Sequence, residues 1–226
     1  MYIRTYSYRF ADEILSASGY CDIKQEILDI CRDCPIPVYP GKSKRQANKD
    51  VVQQIMNTYF RLQFVSHGWE AEPLATPNNH EDALRADFRK TFAFKDKASL
   101  TAQIEVEFGN VASSYRNYFK FQLSFSCGAA DICILIVPSY NLAGRIDSGV
   151  ANFEKAVREI PQAKLSITVP IYVIGLFDVN EGGNIMDPWN VRDITNDLNV
   201  IQNKSKTAHC QHEGLVRAYI DKLGRR

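Results

Sequence analysis

The spacing of apolar residues changes character near residue 84. Before it the repeat is helical. Ile14, Leu15, Ile23, Ile27, Leu28 and Ile30 form one stripe across residues 11–33, with Gly19 as the place where a helix would break. Val51, Val52, Ile55, Met56, Tyr59, Phe60 and Leu62 predict a second helix. Between the two, Pro35, Pro37, Pro40 and Gly41 forbid regular structure. The polar stretch from His67 to Asp82, with Trp69, Pro73, Pro77 and Asn78-Asn79, reads as a long loop, and long loops in compact domains often carry function.

After residue 84 strands alternate with helices. Leu84 to Phe94 predicts an edge-like or kinked strand. Leu100 to Phe108 alternates cleanly, with Ile104, Val106 and Phe108 on one face and Gln103, Glu105 and Glu107 on the other. Gly109-Asn110 ends it, and Val111 to Phe125 predicts a helix with Tyr115, Tyr118, Phe119 and Leu123 on its apolar side. Asp131 to Val137 is a continuous apolar strand, the pattern of a strand buried on both faces, Leu165 to Leu176 reads as another buried strand, and Gly149 to Ile160 predicts the helix between them. The last fifty residues are polar and weakly patterned apart from a short helix near Leu215 to Leu223. The expected class is α/β, a central mixed β-sheet flanked by helices.

Composition narrows the function without naming it. Of 226 residues, 45% are hydrophobic and 23% charged, enough apolar side chain for a real core and too little charge for a disordered chain. No apolar run approaches the roughly 20 residues that span a bilayer, so no membrane partner is expected, and the start Met1-Tyr-Ile-Arg lacks the apolar core of an export signal. The formal net charge of +1 excludes a uniformly basic coat; a nucleic-acid partner would have to meet basic residues gathered on one face. Lys42, Lys44, Arg45 and Lys49 form one such run, readable as phosphate contacts or as a solvated loop, and Lys204, Lys206, Lys222, Arg225 and Arg226 bias the tail the same way. Six cysteines are too sparse for a disulfide scaffold. Cys31-Arg-Asp-Cys34 has zinc-ligand spacing, with His209, Cys210 and His212 as conceivable partners, but no second compact half-site accompanies it, and the thiols are expected to be reduced.

The candidate chemistry lies in carboxylates. Glu105 and Glu107, two apart on a strand, point to one side. Like charges beside a core are costly unless water or a cation neutralises them, so the pair is either an exposed edge or a metal site. Asp87 lies eighteen residues earlier on the preceding strand-like segment, and a short connection through Lys95-Asp-Lys-Ala-Ser99 would bring it beside Glu105. An aspartate from one strand and Glu-X-Glu from its neighbour make a hard-oxygen pocket of the kind Mg²⁺ prefers.

In order and spacing, Asp87-Phe88, Glu105-Val-Glu-Phe-Gly-Asn110, a helix with Ser113, Ser114 and Arg116, then Ala130-Asp-Ile-Cys-Ile-Leu-Ile-Val-Pro138 and Ile146-Asp-Ser-Gly-Val-Ala-Asn-Phe-Glu154 resemble type II restriction endonucleases of the BamHI/BglII/BstYI type, within the PD-(D/E)XK nuclease superfamily. The similarity is densest over residues 66–176 and absent from 177–226, so the resemblance implies one catalytic and DNA-binding domain over 1–226 with a C-terminal extension of unassigned role. It implies a restriction-endonuclease-like core and a Mg²⁺-dependent enzyme hydrolysing both strands of double-stranded DNA at a short palindrome. It further implies 5′ overhangs, a homodimer and a prokaryotic cytoplasmic setting. A repair or structure-directed nuclease, or a DNA-binding module with structural carboxylates, is the alternative.

Residue by residue, the resemblance makes Asp87 and Glu105 the metal-binding carboxylates and Val106 the residue whose carbonyl completes the metal site. Glu107 takes a position that is lysine in most of the superfamily and glutamate or glutamine in this family. As general base or water-orienting group it would complete the catalytic set with Glu72, the residue three after Trp69. Asn110, Ser113 and Arg116 fall where the family approaches bases, and Asp147 and Ser148 where it contacts outer base pairs. Ala112 and Ser148 depart from a serine and an arginine in the family pattern.

Overall fold

A computed structural model describes residues 1–77, 84–95, 98–164 and 166–224. In chain order the elements are β1 (Tyr2–Tyr8), α1 (Ala11–Ser16), α2 (Cys21–Arg32), β2 (Pro37–Val38), α3 (Gln53–Ser66), β3 (Glu70–Ala71), β4 (Phe88–Phe92) and β5 (Leu100–Val106). They continue with α4 (Val111–Ser126), β6 (Ile132–Pro138), α5 (Tyr140–Ile146), α6 (Phe153–Glu159), β7 (Ile171–Phe177), β8 (Trp189–Asn190), α7 (Leu198–Ile201) and α8 (Lys206–Leu223). Six strands form one mixed sheet in the order β1-β7-β6-β5-β4-β3. The parallel strands β5, β6 and β7 hold its centre, and β1, β4 and β3 pair antiparallel at its flanks.

The apolar runs explain that centre. Every residue of β6 is buried, and β7 is buried through Leu176. A strand covered on both faces needs no alternation. On one face Ile104, Ile132, Ile134 and Ile174 pack with Tyr59, Phe60 and Phe64 of α3; on the other Cys133, Leu135, Ile171 and Val173 pack with Tyr118 and Phe121 of α4.

Several elements differ from the sequence reading. Residues 11–33 are two helices, parted at Gly19, whose φ is 100°. The Gly149–Ile160 helix is confined to Phe153–Glu159 and a 3₁₀ turn, because Asn152 caps at Lys155 N–H. Helix α4 is rotated from the face expected: Tyr118 is buried and Leu123 half-buried as expected, but Tyr115 and Phe119 are 50% and 60% exposed, while Ser114, Asn117, Lys120, Phe121 and Ser124 are buried. The tail is more ordered than its weak patterning suggests. Helix α8 packs on α3 through Thr58 with His212 and Arg61 with Glu213, and Trp189 stacks on Tyr219 at 4.7 Å. His212 is buried with both ring nitrogens engaged, by Thr58 Oγ1 and the Val200 carbonyl, so it is not turned toward Cys31 and Cys34. Among the described residues no helix is long and apolar enough to cross a membrane. The expected loop through Asn78-Asn79 to Asp82, the link at Asp96-Lys97, Leu165, and the basic Arg225 and Arg226 lie outside the described residues.

Candidate active site

Strand pairing brings the acidic residues together. Phe88 pairs with Ile104, so continuing the antiparallel register by one residue sets Asp87 opposite Glu105 on the same face of the sheet. Asp87 Oδ2 accepts the Val106 N–H at 2.7 Å, which fixes the carboxylate at the end of β5. Beyond that end Glu107 still pairs through its N–H to the Ile136 carbonyl at 2.9 Å, so it keeps the strand's alternation and shares the side of Glu105.

Glu72 arrives by another route. Trp69 is seated among Phe64 and Phe92, with its indole N–H on Glu26 at 2.8 Å. Glu70–Ala71 then pairs with Phe88–Arg89, and Glu72, at φ 54°, donates its N–H to the Asp87 carbonyl at 3.0 Å. Its carbonyl accepts from Arg85 at 2.8 Å. Glu72, Asp87 and Val106 line one cleft of about 490 Å³ with Asn57, Phe60 and Arg61 of α3.

The carboxylates are enclosed. Glu105 is 1% and Glu107 7% exposed. Glu107 Oε1 accepts the Gly109 N–H at 2.6 Å and Oε2 the Asn117 amide at 2.9 Å. Glu105 Oε2 is paired with Lys120 Nζ, while its Oε1 is buried with no hydrogen-bond partner. Burial raises all three acids above the usual range. Glu105 is pushed up to about 8, by burial first and then by Asp87, against the pull of Lys120.

A divalent cation fits this chemistry. The donors are hard oxygens, the charges crowd one another, and one buried carboxylate oxygen lacks any partner. The side chains do not already stand as a finished ligand set; among the described residues no three His, Cys, Asp or Glu groups are arrayed as metal ligands.

The candidate recognition residues lie on or next to two stretches joined by backbone pairing. Asn110 pairs with Val150, Val111 N–H donates to the Gly149 carbonyl at 2.9 Å, and Ala151 N–H to the Gly109 carbonyl at 3.0 Å. Exposed Asn110 thereby stands beside the segment carrying exposed Asp147 and Ser148, while Ser113 and exposed Arg116 lie on the first turns of α4. Asn110 caps α4, its carboxamide oxygen accepting from Ala112 N–H at 2.9 Å. Asp147, Ser148, Lys49 and Arg145 line a groove of about 490 Å³. Of the basic run, Lys44 and Arg45 are exposed, but Lys42 is committed inward: it bonds the Val51 carbonyl and, at 3.0 Å, the Ile146 carbonyl. Arg145 forks onto Asp50 at 2.8 and 3.0 Å and reaches Asp178 at 2.9 Å, tying this run to α5.

Three residues of this neighbourhood escaped the sequence reading. Asn117 and Lys120 sit three apart on α4, a polar stripe masked by the aromatic residues between them. Gly109 looked only like a strand end, yet a Cβ there would lie 2.7 Å from Glu107 Oε1.

The profile of the family described as restriction endonuclease BglII/BglIII matches residues 3–176. A search of curated protein sequences finds no match. Among solved structures, restriction endonuclease BglII complexed with a DNA 16-mer is similar with a TM-score of 0.62 at 18% identity, over 80% of each chain. Free BglII is similar with a TM-score of 0.51 at 20% identity, over 80% of this chain and 82% of that one. At these identities the structural likeness speaks to the fold.

Proposed function

Because the chain belongs to the BglII/BglIII restriction endonuclease family, and is therefore a site-specific nuclease, we propose that it is a Mg²⁺-dependent type II enzyme. It cuts both strands of double-stranded DNA at a short palindrome as a homodimer and leaves 5′ overhangs, with all 226 residues forming one catalytic and DNA-binding domain. The observation that carries the site is the register of β4 against β5, which sets Asp87 opposite Glu105 with Glu107 next along the strand.

Asp87, Glu105 and the Val106 carbonyl are the residues that would hold the cation. Mg²⁺ would neutralise charge building on the phosphate and make a neighbouring water more acidic. Glu107 orients that water and takes up its proton. Its two oxygens are already aimed by Gly109 N–H and Asn117, each with a lone pair to spare, and its raised pKa brings it nearer the range in which a base works well. Glu72, on the open side of the cleft, faces Asp87 and adds negative charge there. Asn110, Ser113, Arg116, Asp147 and Ser148 meet base edges in the major groove. Asparagine suits adenine and arginine suits guanine by their donor and acceptor patterns. A homodimer would match the two-fold symmetry of a palindrome.

The test is digestion of DNA of known sequence with Mg²⁺, followed by sequencing of the ends. Discrete fragments ending at one palindrome are expected; a smear or scattered nicks would refute the reading. Asp87→Ala and Glu105→Ala should each abolish cutting while leaving DNA binding. If both variants cut normally, the site is elsewhere.

A further inference from the structure

Along β5 the contacts with α4 are polar, although the same layer is apolar beneath β6 and β7. Glu107 meets Asn117, Glu105 meets Lys120, and Gln103 meets Arg89, which reaches Ser124 at 3.5 Å. Alternate strand residues are about 6.6 Å apart and helix residues three or four apart about 4.5–6 Å, so the rungs keep step with a helix running antiparallel to the strand. Only the middle rung joins an acid and an amine in burial. Lys120 is 5% and Glu105 1% exposed at the side chain, a depth no other ion pair among the described residues reaches at both ends. Apolar residues of the same volume would fill that space without the loss of hydration, so packing alone does not account for the pair.

The lysine has a second partner. Lys120 Nζ donates at 3.1 Å to the carbonyl of Arg85, two residues before Asp87. One ammonium thus ties Glu105 Oε2 to the segment that leads into Asp87, and Glu105 Oε1 is left without a partner. We propose that Lys120 is a positioning residue that serves as the resident counter-ion of the carboxylate pocket, holding Glu105 and the Arg85–Asp87 segment in place until a divalent cation takes over part of that charge. This inference rests on the reading of Glu105 as a cation ligand.

Lys120→Met, similar in length but uncharged, tests it beside Lys120→Arg. Thermal midpoints are followed at about pH 8.5, in EDTA and through a Mg²⁺ titration, and Mg²⁺ binding is measured by calorimetry at the same pH. In EDTA the Lys120→Met variant should melt below the wild type. Saturating Mg²⁺ should raise its midpoint by about twice as many degrees as that of the wild type or more, because the ion replaces the missing charge. Removing a like charge from beside the cation should tighten Mg²⁺ binding by about fivefold or more, and Lys120→Arg should stay within about twofold of wild type. A lysine that merely fills space would give the same loss of midpoint at every Mg²⁺ concentration and unchanged binding; that result overturns the inference. If Lys120→Met is unfolded in EDTA, recovery of its circular dichroism on adding Mg²⁺ supports the inference and failure to recover overturns it. A wild-type chain that binds Mg²⁺ but cuts no DNA overturns the nuclease reading alone, and the titration still decides the role of Lys120.

Discussion

The placement of Glu107 turns on Gly109. The carboxylate can sit on the Gly109 N–H at 2.6 Å because nothing projects from the glycine Cα; a methyl there would lie 2.7 Å from the same oxygen. In Gly109→Ala the flexible side chain gives way rather than the backbone, so the melting temperature should hardly move. If Glu107 orients the attacking water as proposed, it is then off its mark, and single-turnover cleavage should fall by about a hundredfold, the usual worth of a general base. A variant cutting at the wild-type rate would remove Glu107 from the mechanism. The same enclosure sets a pH dependence. Glu105 stands at about 8 against an ordinary value of 4.5, so between those limits the folded chain holds a proton that the unfolded chain has released. Stability from this group is full below the lower limit and drains away as pH rises through the upper one; Asp87 and Glu107 shift in the same direction. Calorimetry in EDTA should show the melting temperature falling from pH 5 to pH 8, with Mg²⁺ flattening the slope. A rising melting temperature would mean that the acids stay ionised without a cation.

Between elements, the docking of α4 on β5 depends on paired polar groups, and a denaturant double-mutant cycle measures this. Glu105→Gln and Lys120→Met should each destabilise by stranding a buried partner, while the double variant should recover a coupling of about 1–3 kcal/mol. Additive losses would mean that the two residues do not interact. This docking also marks where sequence reading stops. Strands β6 and β7 were legible because apolar stretches report burial directly, β5 was legible from its alternation, and Asp87 could be paired with Glu105 because so short a stretch of chain separates them. Helix α4 was legible as a helix but not in its orientation. Tyr115 and Phe119 look as apolar as Tyr118 and Phe121, and only the polar face of β5 decides which pair turns inward. Strand β1 went unseen because Tyr2-Ile-Arg-Thr-Tyr-Ser-Tyr8 is mostly polar and gains its structure from pairing with β7, far along the chain. Helix α5, seven residues long, is too short to show a stripe. Glu72 was named through the family pattern alone, since its place depends on its own left-handed conformation at the turn, which composition does not disclose.

For the whole molecule the governing expectation is two-fold symmetry. Sedimentation equilibrium should give twice 25.7 kDa, and supercoiled plasmid carrying one site should become linear without an accumulating nicked circle, because both strands are cut within one encounter. A monomeric mass with steady nicking would require a different assembly. A further consequence concerns re-engineering. Residues 109–111 and 149–151 are laced together by backbone hydrogen bonds, which depend on the paths of both stretches. Transplanting only one of these stretches from a relative would leave donor and recipient backbones competing for a shared seam. A change of target sequence in this scaffold should therefore be carried by exchanging both stretches together, as one cassette.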